Sequence, residues 1–271
     1  MADSDFSLIY SCLKRHRPGA GRRAAFTLVE SLTVMIAMAL MMALAIPVVQ
    51  PARAAEEMTR AAYDVAGVLE NARAYAIAHH TYVWVGFYEE DAAKGNAVAG
   101  TGRVILSTVA SRDGTTIYDP NQVESPATAI NPGRLTQIQK LVKIENVHLK
   151  TAVSGGAVFP RGSGTGDTFP TRPAVSTATA QIGDSSPPNP SLTPFQYPVG
   201  SDTLPAKYLF SKVIQFSPRG EARVDNTNYS IKPVVEIGLQ PSRGNTVDAA
   251  NANVAAVQVS GLLGNVKIYR P

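Results

Sequence analysis

Cysteine is almost absent from this chain, and its one copy, Cys12, lies in a basic leader formed by residues 1–25. The rest of the chain therefore has no cysteine pair for an intramolecular disulfide and no cysteine ligands for a metal site. Aromatic residues are also sparse, at 7%, although 45% of the residues are apolar. This composition predicts one modest globular domain with extensions, whose stability comes from packing alone.

Outside the leader, the chain lacks an excess of charge of either sign. The leader holds five of the 25 basic side chains and two of the 21 acidic ones, and the net charge of the whole chain is +4. The remainder is nearly neutral, so it offers little of the counterion release that drives binding to nucleic acid. The basic character belongs to the leader and not to the domain.

Patterns typical of enzymes and metal sites are missing as well. His79 and His80 are adjacent, so on a helix they point about 100° apart and cannot bind one metal ion as an i, i+4 pair could. His148 is isolated within a strand pattern. The glycine-rich run 162–166 lacks the Lys-Ser/Thr and the strand–helix frame of a phosphate loop. We therefore predict no enzyme activity, no cofactor and no metal site.

The most conspicuous feature present is a long apolar run. From Ser31 to Ala52, 22 consecutive residues are uncharged, and as a helix they would reach roughly 33 Å, enough to span a bilayer once. The basic residues upstream would hold the leader in the cytoplasm and send the C-terminal part across. Glu30, at the start of this run, is a carboxylate in a region suited to lipid, so a functional partner is expected for it.

Two interpretations of the N-terminus need no partner for Glu30. An ordinary signal peptide could be cleaved at Ala52-Arg53-Ala54, with Arg22-Arg23 as a twin-arginine start. The apolar run, however, exceeds the usual ~7–15 residues of such a segment. A plain signal anchor would tolerate Glu30 near the cytoplasmic interface without explaining it.

The order of residues supports a third interpretation. A small residue precedes Phe26-Thr27-Leu28-Val29-Glu30, and an apolar stretch containing Pro47 follows. This order resembles the processing and methylation segment of type IV prepilins and pseudopilins. The resemblance implies that a prepilin peptidase cuts between Ala25 and Phe26 and methylates the new amine of Phe26. It also implies that Glu30 pairs with that amine of a neighbouring subunit, and that Pro47 kinks the helix.

The same resemblance implies partners and a location. The partners are the prepilin peptidase, other pilin or pseudopilin subunits, an inner-membrane assembly platform and, before assembly, the lipid bilayer. The expected location is the bacterial inner membrane, with a single pass, a cytoplasmic N-terminus and a periplasmic domain, followed by incorporation into a filament. Ala25 occupies a position where the family usually has glycine, which leaves room for slower processing.

The fold predicted from the sequence is α+β, with a long N-terminal hydrophobic helix that continues into an amphipathic helix packed on a small, mostly antiparallel β-domain. The boundaries are a leader at 1–25, a transmembrane or filament-core helix at 26–52, an amphipathic helix at 53–79 and a β-rich domain at 80–271. The amphipathic helix is indicated by apolar residues recurring at steps of three or four: Met58, Ala61, Ala62, Val65, Leu69, Ala72, Tyr75 and Ala76.

Strand patterns follow the helix. We predict strands at 81–88, 103–109, 141–149 and 235–240, a hairpin at 208–224 and a closing hairpin at 257–269. Between Pro160 and Gly200, 24 of 41 residues are Pro, Gly, Ser or Thr. That composition predicts a long surface excursion without regular elements, either a flexible insertion or a loop that binds a partner.

This layout resembles the minor pseudopilins of the GspH/FimT type. The closing hairpin and the insertion are similar to those of the Verru_Chthon cassette protein D group. The predicted function is that of a minor pseudopilin in a type II secretion or type IV pilus-like filament. One alternative is a DNA-binding minor pilin for DNA uptake, in which Lys267 and Arg270 would contact DNA. Some FimT-like pseudopilins bind DNA through a Gly-Arg-x-Arg motif near the C-terminus, which the resemblance places at Gly264–Lys267. Nucleic acid is not the expected partner, because Asn265 replaces the first arginine of that motif. The other alternative is a secreted or anchored β-domain.

Overall fold

The computed structural model describes residues 27–95, 97–116, 130–150, 172–173, 175, 181–183, 194–201, 203–224, 231–248 and 253–270. The predicted leader, 1–25, lies outside these residues, as do the side chains of 44–54 within the helix. Packing divides the chain into two compact units, Met1–Val49 and Gln50–Pro271.

The backbone is helical over α1 (Leu28–Ala78). The prediction of a long hydrophobic helix is nevertheless wrong, because the described side chains form two shorter segments, an apolar one at 28–43 and an amphipathic one at 55–78. Among the described residues, no helix has the length and apolar character needed to cross a membrane. The physical reason is that the uncharged run ends at Arg53, and the charged residues that follow, such as Glu56 and Glu57, give the second segment a polar face. The fold is a mixed α+β fold in which β-structure dominates.

The apolar stripe of the second helical segment is confirmed. Of its predicted members, Tyr75 is half-buried and the others are buried. They pack in one core cluster with both large sheets. The segment forms because alanine and long aliphatic residues favour helix, while the 3.6-residue period brings these side chains to a single face. The helix ends at Ala78, where His79 and Thr81 donate backbone N–H groups to the carbonyls of Tyr75 and Ala76.

Sheet 1 has the strand order β10-β9-β1-β2-β3, with β4 also paired to β2, and every pairing in it is antiparallel. Its strands are β1 (Val83–Asp91), β2 (Gly102–Ser111), β3 (Leu135–Gln137), β4 (Val142–Glu145), β9 (Lys212–Phe216) and β10 (Ala222–Arg223). The predicted hairpin at 208–224 is confirmed for β9 and β10, in which Ala222 pairs with Phe216.

Sheet 2 has the order β12-β11-β13-β14, and β5 and β6 also pair with β11. Its strands are β5 (Val147–Lys150), β6 (Gln181–Ile182), β11 (Val234–Arg243), β12 (Thr246–Val247), β13 (Ala255–Ser260) and β14 (Val266–Tyr269). The closing hairpin is confirmed, because Val257 pairs with Ile268 and Val259 with Val266. The β6–β11 pair is parallel. A separate two-stranded ribbon joins β7 (Phe195–Tyr197) and β8 (Tyr208–Phe210).

Both faces of sheet 1 are buried. One face packs with α1 and sheet 2, and the other packs under the β7–β8 ribbon in a second cluster that includes Trp84, Phe195 and Phe210. Gly86 in β1 allows this close approach, because a Cβ at that position would lie 2.6 Å from Cβ of Phe210. Alternate residues of β1 thus serve two different cores.

Two sequence expectations need correction. The predicted strand at 141–149 is two strands, β4 and β5, which belong to different sheets and are separated by Asn146 at φ 60°. Asparagine tolerates this left-handed conformation, which turns the chain from one sheet to the other. The stretch 160–200 was expected to lack regular elements, but its described residues contribute β6 and β7. Those strands form because isolated apolar residues such as Ile182 and Phe195 reach the two cores.

Candidate functional site

The first turn of α1 is capped by Thr27. Its Oγ1 accepts a hydrogen bond from the Glu30 backbone N–H at 3.2 Å, and its carbonyl accepts from Ser31 N–H at 3.1 Å. Thr27 and Glu30 therefore occupy the N-cap and N3 positions of a Ser/Thr-x-x-Glu capping sequence. A carboxylate in the first turn is also favoured by the partial positive charge at a helix N-terminus.

The helical segment that follows is apolar and open to solvent. Leu28, Met35 and Met41 are 82%, 71% and 72% exposed, and Val29, Ile36, Met38, Leu40 and Met42 are also exposed. Contiguous exposed apolar surface of this kind marks a site of contact with protein or lipid. Glu30 is the one ionisable residue in the described part of this segment, 27–43.

The other predicted processing and assembly residues are placed as follows. Ala25 and Phe26 lie outside the described residues. Pro47 lies within α1, where its side chain is not described, so the predicted kink stays a prediction. The structure therefore describes the start of the helix but not the predicted cleavage site before it.

Lys267 and Arg270, the residues of the DNA-binding alternative, have different surroundings. Lys267 is exposed on β14. The Arg270 guanidinium hydrogen-bonds Thr59 on α1 and Asn253, and burial lowers the pKa of Arg270. Through these hydrogen bonds, Arg270 links the end of β14 to α1.

Gly264, in the turn before β14, is required by close packing, because a Cβ there would lie 2.0 Å from the Gly220 carbonyl oxygen.

A polar cluster at the end of β1 was not anticipated from the sequence. Glu90 is fully buried, and its Oε2 lies 3.0 Å from Nη1 of Arg103, whose Nε lies 2.6 Å from Glu145 Oε1. Glu90 also accepts hydrogen bonds from the Ala97 backbone N–H and, at 3.4 Å, from the Tyr208 hydroxyl. The sequence feature that could have indicated this cluster is the run of three acidic residues at 89–91, at the end of a strand.

The carboxyl pKa of Glu90 results from opposed effects. Burial acts to raise it, but hydrogen bonds from Ala97 N–H and Arg103 and the charge of Lys143 outweigh burial, so the pKa is lowered. Beside it, Glu89 Oε1 lies 2.8 Å from Nδ1 of His148. These carboxylates are held by donors, and within the described ranges no group of three His, Cys, Asp or Glu residues could hold a metal ion.

A second buried network joins the 160–200 stretch to sheet 2. Arg172 Nε lies 3.0 Å from Oε2 of Glu236, and Gln258 Nε2 donates to the same oxygen at 2.6 Å and to the Pro173 carbonyl at 2.9 Å. Glu236 is 0% exposed and Arg172 4%. A buried carboxylate requires such donors. The pair therefore fixes this part of the stretch on the outward face of β11 and β13.

Comparison of the chain with family models, with curated proteins and with solved structures finds no match in any of the three. A proposal about function therefore depends on the residues and geometry described above.

Proposed function

We propose that this chain is a minor pseudopilin, a structural subunit of a type II secretion or type IV pilus-like filament. The precursor is cut between Ala25 and Phe26, and the amine of Phe26 is methylated. The observation that supports this best is the apolar helical segment at 28–43. Its large apolar side chains are exposed, and it has one carboxylate, Glu30, in its capped first turn.

The apolar side chains of this segment are more stable when they are buried against protein or lipid than when they are in water. Each large apolar side chain left in water forgoes about 1.5–3 kcal/mol relative to burial. Packing of the same segment from neighbouring subunits would bury this surface, as in other helical assemblies. Before assembly, the lipid bilayer at the inner membrane would cover it.

Glu30 has a specific role in this proposal. After cleavage, the α-ammonium of Phe26 lies one residue before the N-cap, at the positive end of the helix dipole, where a cation is disfavoured. A carboxylate in apolar surroundings is equally disfavoured alone, and an ammonium–carboxylate pair relieves both. Pairing between neighbouring subunits would then set their axial register.

The partners follow from this sequence of events. They are the prepilin peptidase, the other subunits of the filament and the inner-membrane assembly platform. The β-rich domain provides the surface that distinguishes this subunit from the others.

Variants at Glu30 test the pairing directly. Glu30→Gln keeps an amide that can serve at N3 of the capping sequence but removes the charge, whereas Glu30→Ala removes both. We expect both variants to be cleaved before Phe26 and both to be lost from sheared filaments, as measured by immunoblot. If Glu30→Gln assembles like the wild type while Glu30→Ala does not, Glu30 acts only as a helix cap and the pairing is refuted.

The mature N-terminus tests the processing step. Intact-mass and N-terminal peptide spectra of membrane-extracted protein from the native host should show N-methyl-Phe26. A mature protein that begins at Ala55 would instead mean that a signal peptide had been removed, and the proposal would fail.

A further inference from the structure

The turn between β13 and β14 exposes two adjacent leucines. Leu262 is 65% exposed and Leu263 is 61% exposed, more than any other described leucine, isoleucine or valine after residue 43. The turn is held in place, because Gly264 N–H donates to the Ser260 carbonyl at 2.7 Å and Leu263 N–H donates to Ser260 Oγ at 3.3 Å. A single exposed leucine needs no explanation, but two that project from a fixed turn indicate a surface of contact.

Ile77 extends this apolar surface. The β13–β14 turn packs against the β9–β10 turn, where a Cβ at Gly220 would lie 3.0 Å from Cδ1 of Ile77. Ile77 lies in the last turn of α1 and is 38% exposed. The leucines therefore lie at the end of the domain that holds the C-terminal end of α1.

Three cationic residues lie beside the leucines. A Cβ at Gly264 would lie 2.9 Å from Cδ of Arg73, and a Cβ at Gly261 would overlap the Lys232 carbonyl. Arg219 lies in the adjoining β9–β10 turn. The Arg219 side chain is exposed, and the other two are partly exposed. The apolar surface thus has a cationic rim.

The charge of this rim is largely uncompensated. Its three side chains form no ion pair within the described ranges. Glu221, which follows the β9–β10 turn, is bound at 3.1 Å by Arg223. Glu70, one turn before Arg73 on α1, is exposed and offsets part of the charge. The surface around the leucines therefore has a net positive charge.

We propose that the β13–β14 turn docks on an anionic phospholipid surface. Leu262 and Leu263 enter the boundary between headgroups and acyl chains, and the cations contact lipid phosphates. Two aliphatic side chains that project from a turn can enter a lipid surface directly, whereas a protein partner would need a pocket of matching shape. A second copy that presents the same turn is disfavoured, because the two cationic rims repel each other. This inference is independent of the proposed function.

Fluorescence of the full chain in dodecyl maltoside micelles tests the proposal. In a Cys12→Ser background, Leu263→Cys carries the environment-sensitive label NBD, and phosphatidylglycerol or phosphatidylcholine is added to the micelles. We expect a saturable blue shift with phosphatidylglycerol, at a half-saturating lipid fraction about fivefold or more below that of phosphatidylcholine, because each cation near an anionic surface strengthens binding about fivefold. No shift with phosphatidylglycerol, or equal responses to the two lipids, would overturn the proposal.

A label at Asn245→Cys, in the same background, is the control position. Asn245 is exposed in the β11–β12 turn, and its neighbour Gly244 lines a cavity with Glu57. This turn therefore lies near the start of the second helical segment, about 30 Å along the helix from Ile77. A blue shift at Asn245 equal to that at Leu263 would show that the lipid is not bound at the β13–β14 turn, and the proposal would fail.

Leucine variants of the labelled chain measure the apolar contribution. Leu262→Ser should raise the half-saturating fraction of phosphatidylglycerol about tenfold, because one aliphatic side chain no longer enters the lipid. Leu209→Ser is the matched control, since Leu209 is 50% exposed but lies on the β7–β8 ribbon, and it should leave lipid binding unchanged. Neither change should lower the unfolding temperature, because both leucines are exposed. Unchanged lipid binding in Leu262→Ser would contradict the proposal.

Arginine variants measure the contribution of charge. Arg219→Gln should raise the half-saturating fraction of phosphatidylglycerol about fivefold. Arg243→Gln removes the same charge from the β11–β12 turn, where Arg243 is exposed, and should have no effect. Equal effects of the two changes would mean that only the net charge of the chain matters, and docking through this turn would be refuted.

A soluble copolymer of glutamate and leucine distinguishes a lipid surface from an acidic protein. It offers carboxylates and apolar side chains together but no bilayer-like boundary, so we expect a blue shift at Leu263→Cys much smaller than with phosphatidylglycerol. A shift as large as with phosphatidylglycerol would assign the turn to an acidic protein partner and overturn the lipid proposal.

Discussion

Each of two buried carboxylates in the domain is neutralised by an arginine. Glu236 is paired with Arg172 on the outward face of sheet 2, and Glu90 is paired with Arg103 at the end of β1. Both glutamates are 0% exposed. A buried ion pair gains little over an apolar pair of the same shape, but removal of one partner is costly because the remaining charge stays buried. The arginines are therefore required by the acids they face.

The Arg103–Glu90 pair provides a test at the residue scale. Arg103→Met should lower the free energy of unfolding by about 3 kcal/mol at neutral pH, because Glu90 stays buried and loses the guanidinium that forms an ion pair with it. Urea unfolding can be followed by the fluorescence of the single tryptophan, Trp84, which is fully buried. Glu145→Gln is the matched control: Glu145 touches the same guanidinium, but its side chain is 54% exposed, so a loss of about 0–1 kcal/mol is expected.

The pH dependence of the same pair has a definite sign. In the wild type, the lowered pKa of Glu90 gives stability at neutral pH that is lost as the pH falls through the folded-state pKa. In Arg103→Met, the hydrogen bond and the charge of Arg103 no longer lower the pKa of Glu90, so Glu90 takes up its proton at a higher pH than in the wild type and loses its buried charge sooner on acidification. The stability gap between the two proteins should therefore narrow as the pH falls through the pKa of Glu90, first in the variant and then in the wild type. A gap that widens on acidification would contradict this account of Glu90.

The turn between β13 and β14 packs against the turn between β9 and β10. Gly264 has φ 64° and lies against the carbonyl of Gly220. Gly264→Ala adds the cost of a left-handed alanine, about 1 kcal/mol, to that of a backbone clash, so about 3 kcal/mol of stability should be lost. Gly244→Ala is the control, because Gly244 has φ 56° but no atom within 4 Å of its added Cβ. It should lose about 1 kcal/mol.

Thermal unfolding of the two glycine variants measures the difference. Equal losses would mean that the turns can separate at no cost and that the contact with Gly220 contributes nothing to stability.

Elements whose signal is local could be predicted from the sequence. The stripe of the second helical segment depends on residue spacing within one helix, and the closing hairpin depends on alternating residues on either side of a Gly-Asn turn. Both signals lie within a short window, and the pairing of Val257 with Ile268 agrees with them.

Elements whose position depends on distant partners could not be predicted. Nothing in the run 141–149 shows that Asn146 passes the chain between sheets, because its φ of 60° is set by where β2 and β11 lie. Likewise, β6 forms because β11 offers it an edge, and the Pro- and Ser-rich composition around it hides this. The cluster around Glu90 likewise joins residues from β1, β2, β4 and β8, so no single motif could indicate it.

At the scale of the whole molecule, the two units differ in what they need. In the second unit, the described core starts at Met58 and combines helix and sheets. The apolar side chains of 28–43, in the first unit, are exposed. Among the described residues, none before Met58 is buried. The domain should therefore fold without the segment that the proposed assembly would use.

A chain that begins at Ala54 tests this separation. We expect it to be monomeric without detergent, as measured by light scattering after size exclusion, because the exposed apolar surface that drives association has been removed. Its unfolding temperature should lie within about 3 °C of that of the full chain in detergent, since this corresponds to about 1 kcal/mol for a domain of this size. Full-length protein transferred out of detergent is the control and should associate. A truncated chain that aggregates, or that unfolds far below the full chain, would show that the N-terminal segment stabilises the domain and does not serve only for contact with other molecules.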